Sequence, residues 1–488
     1  MLFAGLDLGT QGARVIIADE RGRVVGEGQK ALPASALAGG GSLPSGWFEQ
    51  DPAAWWEAMR AALNAAVTGC RAAGHDSGEI ASVAVTSTSG TIVPVDEAGN
   101  HLRPAVMYND ARAQDEAREV QAKGDGLAER LGYRFNASFA LPKWLWLARH
   151  EPGVLDKARR LVHAADFIAG RLTGDFGWSD YSNALKTGYD LLEDRWPDFI
   201  GSGLGLPLQK FPRVVAPGQP IGRVTRQAAE ATGLPEGAVV VGGMTDGCAG
   251  QVASGAVRPG DGNSTLGTTL TIKAISPGLV RDPKGRVYCH RHPQGFWMPG
   301  GASNTGGEYL ASHFAGQDLA RLDKAAARIA PSSLVLYPNL RPGERFPFAN
   351  PQAGGFALRK PAGRSEHFLG ALEGVALVER QCYDVLTELG SPLGERVYVT
   401  GKASRSEVWL TIRASVLNRT LVRPRVGEAA MGMAILAASS QHFPDLNRAA
   451  AAMVQIDRTV EPNPAWVEPY EEKYQAFVHA CRERGYIA

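Results

Sequence analysis

Residues 6–28 read LDLGTQGARVIIADERGRVVGEG, and two apolar runs joined by a bend can be seen in them at once. The runs at 2–8 and 13–18 are short enough for strands, ADERG turns the chain, and Val24-Val25 starts a third strand. A bend of this kind needs only turn residues, and Gly9 with Gly12 supply them. Asp7 and Thr10 are surplus to the turn, so they call for a chemical reason.

Working outward, DPAAWWEAMRAALNAA (51–66) reads as a helix, with Asp51 at its N-cap and Pro52 in its first position. Residues 80–85 form a buried strand that runs into TSTSG, and TIVPVDEAGN continues as strand and turn. Strands and helices alternate, which predicts an α/β fold. Near Gly237 the cycle restarts: EGAVVVGGMTDGCAGQVASG is strand, glycine-rich turn and helix, and GDGNSTLGTTLTIKAIS is a hairpin. The pair DLGT (7–10) and TLGT (265–268) look like one device used twice, which suggests two related domains around one ligand. The expected domains are 1–247 and 248–488. Further on, 397–399 is a strand leading into a Gly-Lys-Ala-Ser turn and a helix, and LVRPRVGEAAMGMAILAA is a strand, a turn capped through Glu428 and a small-residue helix. Gly432 and its alanine neighbours would let that helix lie close against another element. The last helix, within 462–488, is expected to pack on either domain, with a return to the first allowed.

The chain has 488 residues, too many for one ordinary domain. Lys plus Arg number 51 against 50 Asp plus Glu, a net charge of +1, so neither nucleic acid nor an anionic membrane is an expected partner. The five cysteines, Cys70, Cys248, Cys289, Cys382 and Cys481, show no CxxC spacing, and an odd number does not make a disulfide framework. With no signal-like start and no long apolar run, the expected compartment is the cytoplasm.

Backbone N–H groups at a glycine-rich bend, joined by a threonine hydroxyl, can donate to phosphate oxygens, and a nearby carboxylate can hold hydrated magnesium. On this reading Thr10 and Thr268 donate to phosphate, and Asp7 binds metal through water. The plainer reading is a bare β-turn in which Asp7 caps local backbone. The second copy of the bend favours phosphate.

These residues carry a resemblance. DLGTQGARVIIADERGRVV, WFEQDPAAWW, YNDAR, PKWLWL, YSNALKTGYDL, GGMTDGCAG, TLGTTLTI, GGASNTGG, ALEGVAL and GEAAMGMAILAA occur in the order found in the FGGY carbohydrate kinases, which the chain resembles over essentially its whole length. The resemblance implies two actin-like (ribonuclease-H-like, ASKHA) domains with the active site in a cleft between them, sugar held mainly by the first and ATP by the second. It implies Asp246 as the base that takes the proton of the attacking sugar hydroxyl, a task suited to a carboxylate in a loose phosphoryl-transfer transition state. Asp246 as a cap on the following helix is the alternative. Thr10, Gly267 and Thr268 are then phosphate ligands, and Gly306, Gly307, Gly401, Lys402, Ala403 and Ser404 line the nucleotide. Asp7, Ser89 and Asp246 face the sugar, with Asp7 and Asp246 also organising Mg2+ through water. The cofactors implied are ATP and Mg2+. TSTSGT (86–91) lacks the Met-His of many xylulokinases and the Arg-Glu of glycerol kinases. Together with YSNALKTGYDL, GGASNTGG and PGERFPFANP, it looks like the D-ribulose kinase branch of plants and cyanobacteria. D-ribulose is the first expected substrate and D-xylulose the second. The terminal C5 hydroxyl is the implied acceptor, and a homodimer is an open possibility.

One departure stands out: TGKASRS (400–406) has Lys402 where the family shows bare glycine. Contact with phosphate, weaker adenine binding and a side chain in solvent are all open readings. Trp55-Trp56 reads as core, Lys143 and Lys186 as solvated by default, and Cys289-His290-Arg-His292 lacks complementary metal ligands. Glu49 and Gln50 could face the sugar or cap the helix at Asp51. Asn109 and Asp110 could do the same or merely shape a loop. Two rival classes are an actin-like or chaperone-like ATPase and a non-catalytic sugar sensor.

Overall fold

Strand β1 (Leu2–Gly9) pairs antiparallel with β2 (Gly12–Asp19), register partners running from Leu2 and Asp19 to Gly9 and Gly12. This is the hairpin expected from residues 6–28, and β3 (Val24–Ala31) extends it antiparallel. The computed structural model describes residues 1–37 and 43–487. β4 (Ile80–Ser87) then lies parallel to β1, and β6 (Val239–Thr245) parallel to β4, with β5 (Pro220–Arg223) at the edge. The order is β5-β6-β4-β1-β2-β3, a mixed sheet.

Period-two alternation sends Leu2, Ala4, Leu6 and Leu8 into a core shared with Trp55, Met59, Leu63 and Phe167. The helix Pro52–Ala72 supplies the first three of those partners, starting at Asp51, whose carboxylate accepts the Ala53 N–H at 2.8 Å. It runs six residues beyond the expected end because Val67 and Cys70 prolong its buried stripe. The opposite face of β1 meets the helix Ala429–Gln441. A Cβ on Gly5 would lie 1.8 Å from the Ala430 carbonyl, and one on Gly432 would lie 1.9 Å from that of Ala249. Both glycines let backbones touch where no side chain fits, as the small-residue pattern predicts.

That helix decides the division of the chain. One unit comprises Met1–Gly255, His290–Gly295 and Glu428–Gln455, and the other Ala256–Cys289, Phe296–Gly427 and Ile456–Ala488. A split at 247/248 would cut the helix Asp246–Ser254, which packs on Ala429–Gln441 and stays with the first unit. The restart therefore begins after Gly255, since β6 completes the first sheet. The terminal helix Pro464–Glu483 does not return to the first unit. Lys473 pairs with Glu373, and the Tyr470 hydroxyl donates to the same carboxylate at 3.0 Å, tying this helix to Arg364–Glu388 of the second unit.

In the second unit β7 (Gly262–Leu266) and β8 (Leu270–Ala274) form a hairpin extended by β9 (Trp297–Ser303). β10 (Arg396–Thr400) lies parallel to β7, followed by β11 (Thr420–Pro424) and β12 (Ile456–Val460). The run β9-β8-β7-β10 repeats the pairing of β3-β2-β1-β4 strand for strand, so the two similar bends occupy the same place in two similar sheets.

Gly432→Ala puts a methyl against backbone that cannot yield. The expected result is a loss of about 1–3 kcal/mol, read from the denaturant midpoint.

Candidate active site

In the first unit the parallel strands β1, β4 and β6 bring their carboxyl ends to one edge of the sheet, where ligands of α/β sheets bind. Asp7 is the register partner of Thr86, whose other neighbour is Met244, and Asp246 follows β6 directly. Asp7 is half-buried on β1. Its carboxyl is pushed up to about 7, first by burial and then by the negative charge of Asp246, with Glu428 adding and Arg14 opposing. Arg14 is itself tied to Glu428 at 2.6 Å. Glu428 thus stands at the N-cap of its helix without capping it, correcting the expected cap: its side chain is spent on Arg14.

Asp246 is exposed, opens the helix Asp246–Ser254 and accepts the Gly247 N–H at 2.7 Å. Thr245 is the N-cap of that helix, so the bond to Gly247 lies within its first turn and the carboxylate stays at the surface. Two neighbouring carboxylates, one of them destabilised by the other's charge, suit a hydrated divalent cation. Thr10 sits in the β1–β2 bend, where its carbonyl accepts Gln50 Nε2 at 2.9 Å while Gln50 Oε1 accepts the buried Trp55 indole N–H at 2.8 Å. Gln50 therefore neither faces outward nor caps a helix; it anchors the bend to the core.

Ser89 lies half-exposed in the turn after β4. Beneath that turn Lys143 is 1% exposed, its Nζ donates to the carbonyls of Gly90 at 3.0 Å, Ser138 at 3.1 Å and Phe139 at 3.2 Å, and burial pulls its pKa well below the usual lysine range. Solvated surface was the default for Lys143 and Lys186, and both are buried. The carbonyl oxygens supply what water would. Glu49 pairs with Arg103 and Arg112, and Asp110 with Arg112 at 2.8 Å while accepting the Phe48 N–H at 2.6 Å. Those carboxylates hold a loop together, whereas Asn109 is exposed. Trp55 is core as expected, and Trp56 is half-buried.

In the second unit the bend Gly267-Thr268 is backed by backbone. Gly307 N–H donates to the Gly267 carbonyl at 2.9 Å and Glu308 N–H to that of Thr268 at 3.1 Å. A Cβ on Gly306 would lie 2.5 Å from the Thr268 carbonyl, on Gly307 2.7 Å from that of Gly267, and on Gly401 2.3 Å from that of Leu266. The predicted glycines are thus brought together, and their small size lets three segments stack. A Cβ on Gly267 would meet nothing within 4 Å, while its N–H donates to the Thr269 carbonyl at 3.0 Å and closes the bend. Gly401 has φ +87°, and the turn Lys402–Arg405 follows, closed by Ser404 Oγ donating to the Gly401 carbonyl at 2.7 Å. Lys402 is exposed, Ala403 half-buried and Ser404 buried. The five cysteines are buried thiols, and His290 and His292 are buried. Among the described residues no group of three or more His, Cys, Asp or Glu could hold a metal ion, and no helix is long and apolar enough to cross a membrane.

The models of the FGGY family of carbohydrate kinases match this chain twice, the N-terminal domain over residues 2–253 and the C-terminal domain over 262–440. The chain belongs to the FGGY family of carbohydrate kinases. The xylulose kinase of Escherichia coli K12 is 29% identical to this FGGY kinase over 479 residues, covering 92% of this chain and 96% of that one. The crystal structure of a xylulose kinase from Rhodospirillum rubrum superposes with a TM-score of 0.86 at 28% identity over 99% of both chains. The glycerol kinase of Plasmodium falciparum with ADP shares the fold, with a TM-score of 0.85 at 16% identity over 98% of both chains. The expected two-domain α/β fold of the actin-like type is therefore the observed one, and the FGGY kinase is an enzyme that phosphorylates a sugar hydroxyl. Kinases of this family take ATP and a sugar as substrates.

Three features of the FGGY kinase were not read from its sequence. Gln50 and Lys143 are anchors whose partners lie tens of residues away. The third is Asp180 with Ser182, inside YSNALKTGYDL and its preceding residue, for which the resemblance supplied a motif but no role.

Proposed function

We propose that this chain transfers the γ-phosphate of ATP to a ketopentose, with Asp246 as the base. The observation that carries the reading is the Asp7–Asp246 pair at the carboxyl edge of the first sheet, in a chain of the FGGY family. Asp246 takes the proton of the sugar hydroxyl as the bond to phosphorus forms, helped by the positive end of its own helix, which favours the carboxylate before it is needed. Ser89 is the proposed sugar contact, together with Asp7 and Asp246. Thr10 donates to phosphate from the first bend and Thr268 from the second, where Gly267 leaves room for the phosphate to approach. Gly306, Gly307 and the turn Gly401 to Ser404 line the nucleotide, with Lys402 reaching into solvent beside it. Asp7 and Asp246 would hold Mg2+ through water, and the ion would neutralise phosphate charge.

D-ribulose is the proposed substrate, on the strength of the hydroxyl-bearing segment 86–91, in which Thr88 and Thr91 hydroxyls meet at 3.0 Å and no imidazole or thioether is present. D-xylulose is the second reading, favoured by the relatives named xylulose kinase. The two sugars differ only in configuration at C3, so the test is kcat/KM for each under the same Mg-ATP. The account expects a ratio of at least about 10 in favour of D-ribulose, the size of one hydrogen bond gained or lost. A ratio of that size in the other direction assigns D-xylulose.

A further inference from the structure

The approach of β6 to Asp246 is irregular. Its register against β4 shifts between Val241 and Met244, and a Cβ on Gly243 would lie 1.8 Å from the Val85 carbonyl. After this bulge the N–H of Thr245, the residue before Asp246, donates to the side-chain oxygen of Ser182 at 3.0 Å. Ser182 is wholly buried, and its hydroxyl proton is committed to Asp180 Oδ1, which leaves a lone pair for Thr245. Asp180 is 2% exposed and also accepts the N–H groups of Ser182 at 2.8 Å and Asn183 at 3.1 Å, with its other oxygen taking Asn183 Nδ2 at 2.7 Å. The carboxylate is thus fixed by four donors, and the hydroxyl has one orientation available.

We propose that Asp180 and Ser182 are positioning residues for Asp246. The buried carboxylate orients the Ser182 hydroxyl, and that hydroxyl pins the peptide from which the catalytic carboxylate projects. The inference rests on Asp246 being the base. Beyond the bulge only Met244 and Thr245 pair with β4, and the Ser182 bond adds a fixed point next to Asp246, where a misplacement of about 1 Å can cost on the order of 10²-fold in rate. The nucleotide-lining turns and the other sugar contacts lie on other elements, so the loss falls mainly on kcat.

The test compares Ser182→Ala, Ser182→Thr, Asp180→Asn and Asp246→Asn in steady-state kinetics with Mg-ATP and the preferred ketopentose, each checked for melting temperature. Ser182→Ala is expected to lower kcat at least about 10-fold with KM for both substrates within about twofold. Ser182→Thr, which keeps the hydroxyl, is expected to recover most of the rate, and Asp180→Asn to show the same loss in kcat. If Ser182→Ala melts early, the split between kcat and KM in Asp180→Asn carries the decision. Wild-type kcat in Ser182→Ala beside an inactive Asp246→Asn would overturn the positioning role alone, as would equal losses in the Ala and Thr variants. Wild-type kcat in Asp246→Asn would remove the base itself, and the proposal with it.

Discussion

Asp246→Asn is expected to lower kcat at least about 10²-fold while the KM for ATP and for the sugar changes far less. The amide keeps the shape of the carboxylate and can still accept the Gly247 N–H as the native side chain does at 2.7 Å, so the helix Asp246–Ser254 keeps its start. What it loses is the capacity to take a proton. The same substitution removes the charge that helps push Asp7 up, so the Asp7 carboxyl in the variant titrates lower than the native value of about 7. Carboxyl NMR of the wild type and the variant reads that shift independently of turnover. A variant with native kcat would identify the Asp246 side chain as a cap only.

The second large effect is that of Asp7→Asn, which is expected to weaken catalysis and strengthen the fold. A carboxylate that organises magnesium through water acts from the outer shell, where substitutions cost roughly 10–100-fold in affinity or activity. The stability effect follows from the raised carboxyl. Ionising Asp7 is harder in the folded chain, at about 7, than in the unfolded chain, near 3.8, so the folded state binds the extra proton. Its contribution to stability is complete below about pH 4 and is lost as pH rises through 7. Without nucleotide or metal, Asp7→Asn should melt at the wild-type temperature at pH 4 and at least about 2 °C higher at pH 8. An unchanged difference across that range would mean that Asp7 carries no such burden.

The local pattern of the sequence was enough for the hairpin that opens the first sheet and for β4, whereas β5 was not read and β6 was taken for the start of a second cycle. Period-two alternation and the Asp-x-Gly-Thr bend gave β1 and β2 to within a residue, and the capping of Asp51 gave the start of its helix. The repeat of the bend at 265–268 was legible for the same reason, since β7 and β8 obey the same rule. Legibility failed wherever the deciding partner was distant. The helix Ala429–Gln441 is apolar on nearly every side, so no stripe told which sheet it would cover, and Gly5 sets that contact over hundreds of residues while Gly432 sets the one with the helix Asp246–Ser254. Lys143 looked like surface because four carbonyls from three loops had to converge before its Nζ could be buried. Glu49 and Asp110 invited a sugar role, yet arginines at 103 and 112 claim them. Gly306, Gly307 and Gly401 were identified for closeness to nucleotide, and the backbone packing they permit behind Gly267 and Thr268 is a further reason for their size.

Transfer of phosphate to a ketopentose hydroxyl is read most simply by phosphorus NMR of one reaction. The purified enzyme is mixed with Mg-ATP and D-ribulose or D-xylulose, and the products are followed against a sample without sugar. The account predicts a phosphate-ester resonance of a pentulose phosphate growing one for one with ADP, in the sugar-containing samples only. Inorganic phosphate appearing equally with and without sugar, and no ester, would contradict it.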